Sequence, residues 1–200
     1  MIEQKLRPFV QNVLVDRLAV FLADKCKPNT ITVLSFVVGL LSAICVFVNP
    51  YVSVVLLLLS GYFDVLDGSL ARLKGSSSNI GTMLDILSDR FVESFIIVAI
   101  FAYQPQLAWI GLLMMSSILV CISSFLLVGI FTHNDTHKSF YYSAGLIERA
   151  ETFLFFIAMI IFPSLVFYLG LIYTALVLWT TGYRCYEFYL YDKVRVKNEK

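Results

Sequence analysis

The feature that most constrains this chain is a series of apolar runs, most of them as long as a helix must be to cross a bilayer. Runs at about residues 28–48, 52–72, 81–103, 107–131 and 165–189 have that length, and a shorter one starts at Arg149 and stops at Pro163. A span needs about 20 mostly apolar residues, because a helix rises ~1.5 Å per residue and the hydrocarbon core is ~30 Å thick. Backbone N–H and C=O groups in lipid must be satisfied within the segment, so such runs fold as helices. The composition agrees: 59% of the 200 residues are hydrophobic. The predicted fold is an all-α integral membrane bundle of six transmembrane helices, spanning residues 28–191.

The connections between runs alternate in character. "VNPY", "AYQPQLA" and "FPSL" contain no charged residue, whereas the 15 Lys and Arg residues fall in the N-terminal arm, near "RLKG", in the loop 133–149, or towards the C-terminus, apart from Arg90 just inside the third run. The positive-inside rule then places both termini on the cytoplasmic side, with Tyr51, Tyr103 and Trp109 as an aromatic belt opposite. Residues 1–27 carry Leu6, Phe9, Val10, Val13, Leu14 and Leu18 at helical spacing among Lys5, Gln11, Asn12 and Asp16. This pattern predicts an amphipathic helix on the membrane surface, or alternatively a cap packed on the bundle. Its scattered charges do not fit a signal peptide. Residues 192–200 form a basic cytoplasmic tail. The net charge of +1 gives no sign of a nucleic-acid partner, and the four scattered cysteines show neither ligand spacing nor a disulfide framework.

Against this apolar background the stretch "GYFDVLDGSLARLKGSSSNIGTMLDILSDR" holds four acids. Asp64 and Asp67 share one face of the second span, and Asp85 and Asp89 share one face of the third. The two spans form an antiparallel hairpin around "KGSSSN". Asp64 and Asp67 lie roughly 8–13 Å from its turn, and Asp85 and Asp89 roughly 6–12 Å, at ~1.5 Å per residue. The depths match, so the four carboxylates can converge. Each ionised Asp near a helix centre costs about 2.5–3.5 kcal/mol. Arg72 and Arg90 supply too little positive charge to compensate. Hard divalent cations, Mg²⁺ or Mn²⁺, suit an all-carboxylate cluster without His or Cys. Two such ions would serve phosphoryl transfer. A cation- or proton-coupled transporter is the alternative reading of intramembrane acids. Gly68, Ala71 and Gly81 allow close approach of a ligand or simply of a neighbouring helix. Arg90 and Glu93, three apart, suit an ion pair.

Written out, the stretch is Asp64-x-x-Asp67-Gly68-x-x-Ala71-Arg72, eight residues, Gly81-x-x-x-Asp85-x-x-x-Asp89. This resembles the signature of the CDP-alcohol phosphotransferases at every fixed position, and "KPNTIT" at the start of the first span resembles the same family. The resemblance implies a membrane enzyme of phospholipid synthesis. It would transfer a substituted phosphate from CDP-diacylglycerol to the hydroxyl of a small polar alcohol and release CMP. It implies Asp64, Asp67, Asp85 and Asp89 as ligands of two Mg²⁺ or Mn²⁺ ions, with Asp89 also the general base. Asn29, Thr32, Gly68, Ala71, Arg72 and Gly81 would line the nucleotide and diphosphate pocket. It further implies a homodimer. A CDP-choline-type donor with a lipid acceptor is the alternative within the family.

Acceptor contacts are expected from the basic loop before the fifth span, where Lys138, Arg149, His133 and His137 lie, with Lys138 and Arg149 the named candidates. "GLIER" is similar to the basic entrance of members that take phosphorylated acceptors. Here, however, Arg149 is followed by Ala150-Glu151-Thr152 rather than a second Arg, and the fourth span ends "SSFLLVGIF" without a basic cluster. These departures count against a doubly charged phosphate acceptor and leave open a neutral or zwitterionic one such as serine, inositol or an amino alcohol. Glu148 and Glu151 stand where they would cap the fifth helix.

Overall fold

A computed structural model describes residues 15–23, 25–75, 78–132 and 147–198. Among them the chain forms α1 (Asp16–Ala23), α2 (Pro28–Cys45), α3 (Pro50–Leu73), α4 (Asn79–Tyr103), α5 (Ala108–Phe131), α6 (Arg149–Ile161) and α7 (Val166–Asn198), with 3₁₀ turns at Pro105–Leu107 and Pro163–Leu165. The described residues contain no strand.

The boundaries follow from local chemistry. Pro28 and Pro50 open their helices at the first position, where the missing N–H costs nothing. Asn49 caps α3 by accepting from Tyr51 N at 2.9 Å and Val52 N at 3.2 Å. Ser78 caps α4 by accepting from Gly81 N at 3.0 Å. Glu148 and Glu151 form a reciprocal capping box on α6. At the α3–α4 turn Gly75 takes φ +56°, a conformation that glycine adopts without steric cost.

Among the described residues four stretches are long and apolar enough to cross a membrane: Pro28–Cys45, Pro50–Leu73, Pro105–Phe131 and Pro163–Lys193. The expected third and fifth spans differ from these. Helix α4 has 25 residues but carries Asp85, Asp89, Arg90 and Glu93, and α6 has only 13 residues. The last helix runs on to Asn198, so the basic segment from 192 continues α7 rather than starting a separate element.

Lipid tails are as apolar as leucine, so close packing and interhelical hydrogen bonds rather than water exclusion join the helices. The α2–α3 seam is built this way. Ser42 Oγ donates to Ser53 O at 2.8 Å and Ser53 Oγ donates to Ser42 O at 2.9 Å. Two turns along, Ser35 Oγ and Ser60 Oγ make the same exchange at 2.8 and 2.9 Å. The main core joins Leu57, Val92, Ile96, Met114, Phe156 and Tyr173 from α3 to α7. A smaller cluster seats α1 on the hairpin: Val15 and Ala19 pack with Ile31, Leu66 and Leu70, while Val20 and Phe21 face outward. Most of the sequence-predicted amphipathic helix, residues 1–14, lies outside the described residues. Lys74 Nζ, just past α3, donates to Cys26 O at 2.8 Å and ties the hairpin turn to the α1–α2 connection.

Candidate active site

The α3–α4 hairpin brings the acids together. Oxygens of Asp64, Asp67 and Asp85 lie within 4.8 Å of one another. Asp67 is buried, and its Oδ2 has no hydrogen-bond partner although it is shielded from solvent. Thr32 on α2 lines the same cavity as Asp67 and Asp85, and its Oγ1 donates to Pro28 O at 3.3 Å. Three buried or half-buried carboxylates this close repel one another, and an orphaned oxygen among them is a missing partner. The arrangement fits a hard divalent cation, which oxygen ligands bind best.

Asp89 stands outside this three-carboxylate group. Its Oδ1 lies 2.6 Å from Arg149 Nη1. The same guanidinium nitrogen pairs with Asp64 Oδ2. Arg149, expected at an acceptor entrance, thus reaches from the first turn of α6 into the acidic cluster itself. The ring of Phe153, 5.4 Å from its Cζ, supports it from one turn further on. Phe153 in turn rests on Gly61, where a methyl group would come within 3.0 Å of its ring. Arg90 pairs with buried Glu93 at 2.7 Å, as their spacing suggests, and not with the aspartates.

A cavity of about 140 Å³ adjoins the acids, lined by Pro28, Asn29, Thr32, Asp67, Gly68, Ala71, Ser78, Gly81, Thr82 and Asp85. It holds five of the six residues expected at the nucleotide pocket. Arg72 is the exception: it is exposed at the end of α3 and its Nη2 donates to Ser69 Oγ at 2.9 Å. Ser78 and Thr82 are additions that the motif does not mark. Ser78 had a signal, since a serine before an apolar run suits an N-cap. Lys138, His133 and His137 lie outside the described residues.

Fold and site together define a multi-pass membrane protein with an intramembrane carboxylate centre beside a small polar cavity. Residues 25–182 match the family model described as CDP-alcohol phosphatidyltransferase, and the chain belongs to that family. It is similar to the inner membrane protein YnjF of Escherichia coli, at 29% identity over 95% of this chain and 96% of that one. It is also similar to a bifunctional IPC transferase and DIPP synthase of Aquifex aeolicus, at 30% identity over 54% of this chain but only 26% of the relative's length. The chain thus spans about a quarter of that longer protein. Among solved structures, a phosphatidylinositol phosphate synthase of Mycobacterium tuberculosis with CDP-DAG bound has the same fold, with a TM-score of 0.71 at 16% identity over 88% of this chain and 94% of that one.

Proposed function

We propose that the protein transfers the phosphatidyl group of CDP-diacylglycerol to the hydroxyl of a small polar alcohol and releases CMP. The observation behind this reading is the convergence of Asp64, Asp67 and Asp85 beside the cavity bounded by Asn29, Thr32, Gly68, Ala71 and Gly81. Asp64, Asp67 and Asp85, with Asp89 alongside, are the residues that would hold two Mg²⁺ or Mn²⁺ ions. When bound, these would neutralise the diphosphate and the departing CMP.

Gly68, Ala71 and Gly81 leave room for the diphosphate against the helix backbones, and Asn29 and Thr32 offer polar contacts to the nucleotide. Asp89 accepts the proton of the acceptor hydroxyl. The hydroxyl oxygen then attacks the phosphorus that bears diacylglycerol. The bond from that phosphorus to the bridging oxygen breaks, and CMP leaves with the electron pair. The acceptor enters past Arg149, and Lys138 belongs to the same approach. In this reading α4 and α6 also cross the bilayer, making six spans, with both termini and the site on the cytoplasmic side and the chain paired as a homodimer.

Several relatives are named for inositol chemistry, among them an archaetidylinositol phosphate synthase of Pyrococcus horikoshii that is 33% identical over 48% of this chain and 52% of its own length. Inositol and inositol phosphate therefore head the acceptor panel, followed by serine, glycerol phosphate, ethanolamine and choline. The test is CMP release by purified protein in detergent with CDP-diacylglycerol, Mg²⁺ or Mn²⁺, and each acceptor in turn. Release that requires both metal and one acceptor, and that Asp89→Asn abolishes, is the expected result. Folded protein that fails to bind CDP-diacylglycerol would overturn the reading.

A further inference from the structure

Arg149 is in an unusual electrostatic position. It is the first residue of α6, and a helix N-terminus carries partial positive charge, which disfavours a cation there. It is mostly buried, and its Nε finds no partner. What holds it is the acidic cluster: one guanidinium nitrogen touches both Asp64 and Asp89, joining α6 to α3 and α4. Asp64 is also one of the three carboxylates that converge as a cation site. One carboxylate is therefore shared between an internal cation and the group that would hold an external one.

We propose that Arg149 is a built-in counter-cation that competes with the divalent metal for the Asp64–Asp89 side of the cluster, so that metal loading releases its guanidinium towards an incoming acceptor. The inference rests on the metal-dependent reading above. Two observations make the exchange physically cheap. Phe153 supports the guanidinium through its ring face without a hydrogen bond, so the arginine can tilt while keeping this stacking contact. The capping box of Glu148 and Glu151 holds the end of α6 independently of Arg149, so the helix start does not depend on the ion pairs. Binding at linked sites is reciprocal: if Arg149 pairing weakens metal binding, metal binding weakens Arg149 pairing by the same factor. A site that must first take up metal then exposes its acceptor-facing charge only once the donor's diphosphate can be neutralised.

The test is a Mn²⁺ titration followed by electron paramagnetic resonance, on EDTA-stripped protein in detergent without substrate. Arg149→Gln is expected to bind Mn²⁺ more tightly than wild type by about 5- to 150-fold, the range typical of coupled sites. Arg149→Lys, which keeps the charge but loses the planar guanidinium that rests on Phe153, should fall between the two and also serves if the glutamine variant folds poorly. Equal or weaker Mn²⁺ binding by both variants, with wild type binding normally, overturns the inference alone. Wild type that binds no Mn²⁺ overturns the metal reading and the inference with it.

Discussion

Gly39 on α2 lies directly against Val92 on α4: a methyl group at position 39 would fall 2.5 Å from Val92 Cγ2 and 3.0 Å from Ser60 Oγ on α3. Three helices therefore meet at one glycine, and the same three line the cavity beside the acids. Overpacking such a contact typically costs about 1–3 kcal/mol. Gly39→Ala is expected to lower the thermal unfolding temperature in detergent, and Val92→Ala in the same chain should recover part of the loss. Gly182→Ala, where a methyl group meets nothing within 4 Å, is the control and should change little.

The reciprocal serine bonds of the α2–α3 seam predict a different pattern. Interhelical hydrogen bonds in membranes average about 0.6 kcal/mol and reach about 1.7 kcal/mol. Ser42→Ala and Ser53→Ala should each destabilise within that range. The double variant should cost less than their sum, because the two hydroxyls also lie 3.3 Å apart and either single change already removes that shared contact. This pair sits beside the α2–α3 connection, on the far side of the seam from the acids. CMP release per folded molecule should therefore be unchanged, as an activity assay normalised to CDP-diacylglycerol binding would check.

Asp89→Asn addresses the chemistry. A positioned general base typically contributes 10²- to 10⁴-fold, so CMP release should fall by about that much. Arg149 keeps its contact with Asp64 in this variant, and the cavity lining does not include Asp89. Binding of CDP-diacylglycerol, followed by tryptophan fluorescence or calorimetry, should stay within a few-fold of wild type. A matching loss of binding would show that Asp89 holds the donor rather than acting as the base.

Much of this was legible in the sequence, for physical reasons. Apolar runs bounded by Pro28, Pro50 and Ser78 set the helices, because few other patterns survive in lipid. The spacing of Asp64, Asp67 and Asp85 set their convergence, since it depends only on helix rise and a tight turn. Arg149 was visible as a basic residue before the fifth apolar run, but its pairing with Asp64 and Asp89 was not. That contact joins residues 85 and 60 positions apart and depends on how α6 packs against the hairpin. The serine seam was hidden for the same reason: serines inside apolar runs look alike until the register of two helices is known. The motif marked Arg72 but not its contacts, because a motif position fixes its place on the helix and not where its long side chain goes, here to Ser69 Oγ and beside Gly68.

Two glycines at the hairpin separate structure from recognition. Gly75 sits in the turn with φ +56° and open space around it, so Gly75→Ala pays only the left-handed backbone cost of about 1–2 kcal/mol. Gly81 instead borders the cavity, and a methyl group there would come within 3.2 Å of both Asn29 Oδ1 and Ser78 Oγ. Ser78 Oγ is already held by Gly81 N at 3.0 Å, so it cannot move aside without uncapping α4. The methyl group would push Asn29 into the space proposed for the nucleotide. Gly81→Ala is therefore expected to raise the KM for CDP-diacylglycerol by roughly tenfold, equivalent to about 1.4 kcal/mol, with kcat nearly unchanged because ground state and transition state lose the same contact. Gly75→Ala should lower the unfolding temperature and leave KM alone. Steady-state kinetics over a range of donor concentrations, beside thermal unfolding of both variants, distinguishes the two. A Gly81→Ala enzyme with normal KM would move the nucleotide out of this cavity.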